Sequence, residues 1–207
     1  MIMKFFRFLA PLLLVATAGA AGSIDVFHRQ WTVPEPSDWN ISGDGDAQVL
    51  TLQHARNPLP GPRRPIQFAL TPIDPYRTLT LEADVQPWQL SLIIVFAYQD
   101  EAHFNYAHLS VDTGVKQPVH NGIFHVYGGE RVRISSTRGP SAFPVTKKWY
   151  HVTLTHDAVA GTVDVSVNGE PIPALHAVDV SLGAGRLGLG SFDETGEFRN
   201  VKIVEHR

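Results

Sequence analysis

Hydrophobic and polar residues alternate with a period of two along much of this chain, and helical periodicity is almost missing after the N-terminal segment. The clearest example is residues 78–86, in which every second position is apolar: Leu79, Leu81, Ala83 and Val85. This pattern predicts a strand with one buried face. Residues 91–98 are nearly continuously apolar instead, which predicts a strand that is covered on both faces.

Further short segments with strand character follow at regular intervals along the chain. They span residues 104–111, 121–127, 132–135, 149–155, 162–167, 185–192 and 198–204. Asn168-Gly169 is a dipeptide that favours a tight hairpin turn, because both residues tolerate positive φ. Prolines cluster in 34–36, 58–65 and 72–75, where they mark connections rather than strands. Many short strands with turns between them predict an all-β sandwich or barrel.

The first twenty residues have the pattern of a secretory signal peptide. Lys4 and Arg7 precede an apolar run at 8–16, and Ala18-Gly19-Ala20 supplies small residues for cleavage. We therefore expect a signal peptide at 1–20, cleavage after Ala20 or Ala21, and a secreted or periplasmic mature protein. An uncleaved N-terminal anchor is the alternative, and the absence of cysteine excludes a lipoprotein anchor.

Composition narrows the classes of partner. The formal net charge is −3, and acidic and basic residues are interspersed, so the chain lacks the clustered basic face of a nucleic-acid binder. No apolar run after the signal is long enough to span a membrane. Without cysteine there are no disulfides and no thiol nucleophiles. Residues 21–207 are expected to form one domain, a monomer whose partners are neutral, polar molecules or polymers.

Several segments, taken in order, resemble the concanavalin A-like and laminin-G-like jelly rolls of secreted bacterial carbohydrate proteins. They are Trp39 with Gly43-Asp44-Gly45 and 48–50, then 149–153, the hairpin at 164–172, and the closing pair at 185–192 and 198–203. This resemblance implies an all-β, two-sheet antiparallel jelly-roll sandwich that handles carbohydrate on its concave face. Residues 104–109, 120–124 and 130–135 also resemble a little-described subgroup of these proteins, which brings no activity with it.

The candidate site is predicted from strand periodicity. Tyr106 and His108 share a strand face with Phe104 and Ser110, and Arg131 or Arg133 would face them from another strand. Such a cluster could bind sugar hydroxyls, or a uronate carboxylate through arginine. A histidine or tyrosine base could also remove the proton beside that carboxylate, which is lyase chemistry. The alternative is that these groups only satisfy one another.

A second group adds to the predicted site. His125 and Asn121 are four residues apart and so share a strand face, and His120 is adjacent to Asn121. We predict a catalytic set of His108, Tyr106, His125 and Arg131. The predicted substrate-binding set is Asn121, His120, Arg133, Tyr98, Tyr127 and Trp88. Trp31 is a further exposed-aromatic candidate, because sugar rings stack on Trp and Tyr.

Carboxylate chemistry and metal binding are weaker candidates. Glu82-Ala83-Asp84-Val85-Gln86 resembles the E-x-D-x-E strand of family 16 glycoside hydrolases, but Gln86 stands where the general acid would be. The histidines lack the spacing of a transition-metal site. No cofactor is required, although a structural calcium ion could be held by Asp44, Asp46 or Asp193.

Three functions remain open on the sequence. The first is a secreted protein that processes a poly- or oligosaccharide by lyase-like or hydrolase chemistry. The second is a non-catalytic, lectin-like module, and the third is a structural or interaction module of the cell envelope. A catalytic cluster should lie in a deep groove with a buried, perturbed histidine, whereas a lectin-like site should be shallow and aromatic-rimmed.

Overall fold

The computed structural model describes residues 21–57, 60–111 and 120–207, and the predicted signal segment lies outside them. The described strands are β1 Gly22–Val26, β2 Arg29–Val33, β3 Trp39–Ser42, β4 Val49–Leu52, β5 Gln67–Thr71, β6 Thr78–Pro87, β7 Ser91–Asp100, β8 His103–Ser110, β9 Gly122–Tyr127, β10 Arg131–Arg133, β11 Tyr150–Asp157, β12 Thr162–Val167, β13 Glu170–Val178, β14 Arg186–Ser191 and β15 Gly196–His206. Two short 3-10 helices, Pro36–Asp38 and Gly45–Ala47, lie beside β3. Across this described part of the chain, no helix is long and apolar enough to cross a bilayer.

The strands form two antiparallel sheets. One has eight strands in the order β1-β2-β5-β14-β7-β8-β9-β10, and the other has seven in the order β13-β12-β11-β6-β15-β4-β3. Sequential hairpins such as β7-β8-β9 are interrupted by long crossovers, since β14 returns from near the end of the chain to pair with β5 and β7. This topology brings residues from distant parts of the sequence side by side.

The main core lies between the two sheets. The apolar residues of β6 are buried in it, as the alternation predicted, and they pack with the inward-facing Leu92, Ile94 and Phe96 of β7. His156 is also buried there, with its Nδ1 2.9 Å from the hydroxyl of Tyr76. Burial lowers the pKa of His156 to about 4, so the ring is neutral in the folded protein at neutral pH.

A second apolar cluster covers the outer face of the eight-stranded sheet. It consists of Phe68, Leu70, Ile93, Val95, Tyr98, Phe104, Tyr106, Phe124 and Val126. The continuous apolar run of β7 therefore has buried side chains on both faces, as its sequence predicted. Between these residues, β14 places two glycines, Gly188 and Gly190, on the outer face. A Cβ on Gly190 would lie 2.6 Å from the Phe68 Cα, so glycine is required for this close approach.

Candidate functional site

The aromatic cluster on the outer face of the eight-stranded sheet is the base of the candidate site. The rings of Tyr106 and Phe124 stack at 5.3 Å between centroids, and Phe104 contacts Phe68, Tyr98 and Tyr106. Tyr106 and Phe124 lie opposite each other on β8 and β9, so strand pairing alone sets this stack. The solvent-facing side of this cluster is apolar, and other residues must therefore cover it.

Arg131 forms a large part of this cover. Its guanidinium lies 4.7 Å from the Phe124 ring centroid and 4.4 Å from that of Phe192, which follows β14. Nη1 donates to the hydroxyl of Tyr106 at 3.1 Å and contacts Nδ1 of His108 at 3.2 Å. The structure thus brings together Tyr106, His108 and Arg131, three of the four predicted catalytic residues.

The contacts of His108 determine its tautomer. A guanidinium can only donate, so Nδ1 of His108 must accept from Arg131. The proton is therefore on Nε2, which donates to the Ser91 hydroxyl at 2.9 Å. Burial lowers the pKa of His108 well below its usual value, and the positive charge of Arg131 acts in the same direction. His108 is accordingly neutral and 2% exposed.

The Ser91–His108 pair is oriented against hydrolase chemistry. A general base must aim an unprotonated nitrogen at the serine hydroxyl, with an acidic group on its other nitrogen. Here Nε2–H faces Ser91 and an arginine occupies the other side. Tyr106 is also protonated, because burial raises the pKa of its hydroxyl and the nearby Arg131 only partly offsets this effect.

A groove of about 310 Å³ opens on the same outer face. It lies beside the sealed cluster, which consists of Tyr106, His108 and Phe124 with Arg131 above them. Its lining consists of Ala21, Thr32, Val33, Pro34, Arg64, Pro65, Ile66, Phe68, Leu70, Tyr98, Glu101 and Arg186. His108, Tyr106 and Arg131 are not part of this lining. The floor is therefore aromatic and aliphatic, and the charged groups of two arginines and one glutamate lie at the sides.

A β-bulge aims Tyr98 into the groove. Val95 and Tyr98 both belong to the outer cluster although three positions separate them, because β7 bulges around Ala97, whose φ is 51°. The same irregularity pairs Tyr98 with Arg186 on β14, with the guanidinium 5.8 Å from the Tyr98 ring centroid. Burial raises the pKa of Tyr98, and the charge of Glu101 adds to this effect.

Arg186 is held at the side of the groove by polar contacts with two other strands. Its Nη2 donates to the hydroxyl of Thr32 and to the carbonyl of Leu70, both at 3.4 Å. These bonds use one of its two terminal nitrogens. On the opposite side, Nη1 of Arg64 donates to the carbonyl of Gly129 at 3.5 Å. All three contacts are long, and each arginine therefore keeps donors for a ligand.

Asn121 and Arg133, two of the predicted substrate-binding residues, form hydrogen bonds with the backbone of the protein itself. Asn121 is fully buried, donates to the carbonyl of Pro140 and accepts from the amide of Ala142. Arg133 donates to the backbone carbonyls of Asn121, Ser135 and Thr137. Both side chains therefore hold the segment after β10 against the sheet.

His125 lies on the other face of its strand from Phe124 and Tyr106, and the prediction that it joins Tyr106 and His108 is wrong. Side chains alternate along β9, so Asn121, Ile123 and His125 face the seven-stranded sheet. Nδ1 of His125 is 2.7 Å from Oδ1 of Asn105 and 3.0 Å from Oδ2 of Asp179. Asn121 does share a face with His125, as predicted, but that face is opposite His108.

The remaining predicted binding residues are dispersed. The His120 ring is 5.9 Å from that of His108, Tyr127 stacks on His125, and half-buried Trp88 lines a separate cavity with Gln86, Gln89 and Lys147. Trp31 is fully buried and donates to the carbonyl of Val26, so its prediction as an exposed aromatic is wrong. Only Tyr98 among these residues lines the groove.

The carboxylates of β6 are engaged in a polar network on the outer face of the seven-stranded sheet. Asp84 accepts from Asn200 at 2.7 Å and contacts His151 and Arg199. Burial alone would raise the pKa of Asp84, but hydrogen bonds from these three residues outweigh it and lower the pKa. An ionised, fully bonded Asp84 next to Gln86 does not provide a general acid.

The predicted calcium ligands do not form a cluster. Asp44 and Asp46 lie between β3 and β4, where Asp46 pairs with His28 at 3.0 Å, and Asp193 lies between β14 and β15. Among the described residues, no three histidine or acidic side chains lie close enough to hold a metal ion together. Calcium binding stays a prediction.

Known structures share this arrangement of strands. The carbohydrate binding module CBM66 from Bacillus subtilis superposes with a TM-score of 0.57 at 17% identity, covering 84% of this chain and 94% of that chain. Domain 4 of the GH43 extracellular arabinanase AbnA from Geobacillus stearothermophilus gives 0.46 at 15% identity, covering 81% and 75%. A Lotus tetragonolobus seed lectin gives 0.44 at 11% identity, covering 82% and 92%.

The likeness to the CBM66 module establishes the fold. The chain is a two-sheet antiparallel jelly-roll sandwich of the concanavalin A-like kind, and the predicted fold class is confirmed. No family model matches the chain. No curated protein matches it at a significant level.

The sequence analysis missed several residues of the site. Arg64, Arg186 and Glu101 line the groove, and Phe192 and Ser91 complete the sealed cluster. Arg186 opens a glycine-rich strand, and this composition predicts a strand but not a neighbour for Tyr98. Only the pairing of β14 with β7 reveals that contact.

Proposed function

We propose that this chain is a non-catalytic carbohydrate-binding module whose site is the groove beside Tyr98 on the outer face of the eight-stranded sheet. The observation that carries the proposal is the lining of this groove, an aromatic floor with Arg64, Arg186 and Glu101 at its sides. Sugars present apolar ring faces and many hydroxyls, so they are bound by aromatic surfaces with a few charged hydrogen-bonding groups.

The fold supports the same class of ligand. The CBM66 structure, with a TM-score of 0.57, is described as a carbohydrate binding module, and the match covers 94% of it. A fold alone does not determine a function, because function resides in the site. The groove supplies the site-level argument, and the fold is consistent with it.

Catalysis by the predicted residues is less well supported than binding. His108 is buried with a lowered pKa, which a catalytic histidine could also be, but its Nδ1 is occupied by Arg131 and its Nε2 carries the proton. Tyr106 has no exposed surface. Neither His108 nor Tyr106 lines the groove, and the polysaccharide-processing and cell-envelope hypotheses therefore rank below binding.

The proposal also includes three predictions from the sequence: export, a monomeric state and no required cofactor. We infer an exported protein because residues 1–20 have the composition of a signal peptide. The mature chain would act as a monomer without a required cofactor, in a compartment where glycans are present. Mass spectrometry of the exported protein would test the cleavage after Ala20 or Ala21.

A glycan panel tests the proposal. Purified protein is passed over immobilised neutral and uronate-containing polysaccharides, while new reducing ends and the ultraviolet absorbance of unsaturated uronates are followed in solution. Retention without product is expected. Arg186→Gln should weaken retention roughly tenfold, because it removes charge-assisted hydrogen bonds. Arg207→Gln, at an exposed ion pair with Asp74, is the matched control and should bind normally.

Other results would contradict the proposal. Product with rising absorbance would indicate a lyase, and reducing ends alone would indicate hydrolysis. Equal retention of Arg186→Gln and the unaltered protein would exclude the groove as the binding site. No retention on any glycan would reject carbohydrate binding.

A further inference from the structure

An exposed tyrosine lies at the edge of the sandwich, away from the groove. Tyr127 is the last residue of β9 and is 61% exposed. A large part of its apolar ring surface therefore faces solvent. It is followed by Gly128 and Gly129, and a Cβ at either glycine would meet nothing within 4 Å. The space beside this turn is therefore open to a ligand.

Two imidazoles hold the Tyr127 ring in place. His125 stacks against one face, with 5.5 Å between centroids and 18° between planes. His103, directly opposite Tyr127 on β8, contacts it edge to face at 4.8 Å. A ring that is 61% exposed while stacked on one face presents its other face to solvent. Such a fixed ring loses little conformational entropy when a ligand stacks on it.

Carboxylates fix the tautomer of both histidines. Nδ1 of His103 lies 2.8 Å and 3.0 Å from the two carboxylate oxygens of Asp100. Nδ1 of His125 lies near Oδ1 of Asn105 and Oδ2 of Asp179. These partners are all acceptors, so each neutral ring carries its proton on Nδ1 and presents an unprotonated Nε2. No residue in the described part of the chain hydrogen-bonds either Nε2.

The second histidine, His125, is supported by a partly buried network of hydrogen bonds. Nδ2 of Asn105 donates to Oδ2 of Asp179 at 2.8 Å, and the amide of Ser181 donates to Oδ1 of the same carboxylate. Burial would raise the pKa of Asp179, but the hydrogen bonds from Asn105 and Ser181 and the nearby His125 lower it overall. The carboxylate therefore stays charged and keeps the His125 ring oriented.

We propose that Tyr127, His103 and His125 form a second saccharide-binding surface, which takes a single neutral sugar ring. The apolar face of the sugar stacks on Tyr127, and its hydroxyls donate to the imidazole Nε2 atoms. The exposed carboxylate of Asp100 disfavours an anionic sugar at this surface. This inference rests on the proposed function for its class of ligand, but it concerns a different site.

A metal ion is a poorer occupant. Histidines that bind a metal typically donate their other ring N–H to a carboxylate. His103 and His125 have such partners, so a metal ion is the alternative ligand to consider. However, His103, His125 and the aspartates do not come together as a group of three, within the residues that the structure describes. The acceptor character of the two Nε2 atoms and the adjacent tyrosine ring match a sugar hydroxyl and a sugar face instead.

Imidazole NMR tests the proposal. Nitrogen-15 spectra of the histidine rings are recorded while methyl glycosides of neutral hexoses, and separately galacturonic acid, are added. Neutral glycosides should shift the Nε2 signals of His103 and His125, and galacturonic acid should not. Tyr127→Ala should weaken this binding roughly tenfold through loss of stacking, whereas Tyr127→Phe, which keeps the ring, should bind as before.

The groove variant separates the two sites. Arg186→Gln should leave the His103 and His125 shifts unchanged, even if it abolishes retention on the polysaccharide panel. Persistence of the shifts in Tyr127→Ala would overturn the second surface without affecting the groove. The absence of any imidazole shift with every neutral glycoside would also overturn it, and thermal melting of each variant excludes misfolding as the cause.

Discussion

The two outer faces of this sandwich differ although both belong to antiparallel sheets of similar size. On the seven-stranded sheet, β6 turns Thr80, Glu82 and Asp84 outward, and Asp84 accepts a hydrogen bond from Asn200 there. On the eight-stranded sheet, β7 turns Ile93 and Val95 outward into an aromatic cluster. β6 and β7 follow each other in the chain and both have ten residues. The difference between the two faces therefore comes from which residues these strands turn outward.

The comparison teaches what an apolar outer face requires. Such a surface must be covered, and here Arg131 and Phe192 cover part of it. The cover is incomplete beside Tyr98, and the groove is the part that remains open. The polar face has no such floor. A groove with an aromatic base is therefore a consequence of a face that is incompletely covered.

Arginines lie above aromatic rings on both faces, and Arg131 and Arg199 differ in their surroundings. Arg131 lies between two phenylalanines and bonds to buried Tyr106 and His108. Arg199 lies 4.1 Å from the Trp149 ring centroid and reaches the charged Asp84. The first arginine seals an apolar surface, whereas the second belongs to a hydrated network.

The largest expected difference comes from a lysine placed on each face. Val95→Lys buries a charge among aromatic rings and should destabilise the fold by about 4 kcal/mol or more. Thr80→Lys, on the outer face of β6 near Glu82, should change stability by less than about 1 kcal/mol. Urea denaturation followed by tryptophan fluorescence measures both. Similar losses for the two variants would mean that the faces are equally hydrated.

Acid should weaken the fold through its buried histidines. The folded pKa of His156 is about 4, and an unfolded histidine titrates near 6.5, so between these values the unfolded chain binds the extra proton. Stability therefore falls as the pH falls through this range, by about 3 kcal/mol from His156 alone. His108, whose pKa is also lowered, adds to the loss.

A pair of variants assigns the share of the outer face in this acid effect. His108→Gln keeps an acceptor for Arg131 and a donor for Ser91, and it should reduce the slope of stability against pH below pH 6.5. His151→Gln, at a half-exposed histidine on the polar face, should leave the slope nearly unchanged. Denaturation curves at several pH values decide between these outcomes. Identical slopes in all three proteins would show that His108 does not contribute.

The smallest expected contrast concerns the two arginines. Arg131→Ala should cost about 2 kcal/mol, because it uncovers two rings and leaves Tyr106 and His108 without a buried donor. It should also raise the pKa of His108, since the positive charge is removed. Arg199→Ala should cost under about 1 kcal/mol, as its partners can bond to water. Denaturation and histidine NMR titration measure these effects, and equal costs would contradict the distinction between the faces.

Much of the fold could be predicted from the sequence because strand periodicity is a local property. The alternation of Leu79, Leu81, Ala83 and Val85 gave the buried face of β6, and the apolar run at 91–98 correctly predicted burial on both faces of β7. The Asn168-Gly169 turn also lies between two paired strands, β12 and β13.

The site was less predictable because it depends on register and strand order. The period of two placed Tyr106 with His108, but it could not show that Asn105, and not Tyr106, pairs with His125 across β8 and β9. The direction of the Tyr98 side chain depends on a β-bulge, which the sequence pattern does not predict. Phe192 and Arg131 meet only because β14 returns to the centre of the sheet. These are long-range facts, whereas sequence patterns are local.

The two glycines on the outer face of β14 limit how this protein can diverge. Gly188 and Gly190 lie opposite Leu70 and Phe68 of β5, which line the groove, and a side chain at Gly190 would collide with the backbone of Phe68. Gly190 is therefore closed to larger residues, and this position cannot be used to reshape the floor. New ligand preferences would have to evolve through the rim, by changes at Arg64, Glu101 and Arg186, while the floor is inherited unchanged.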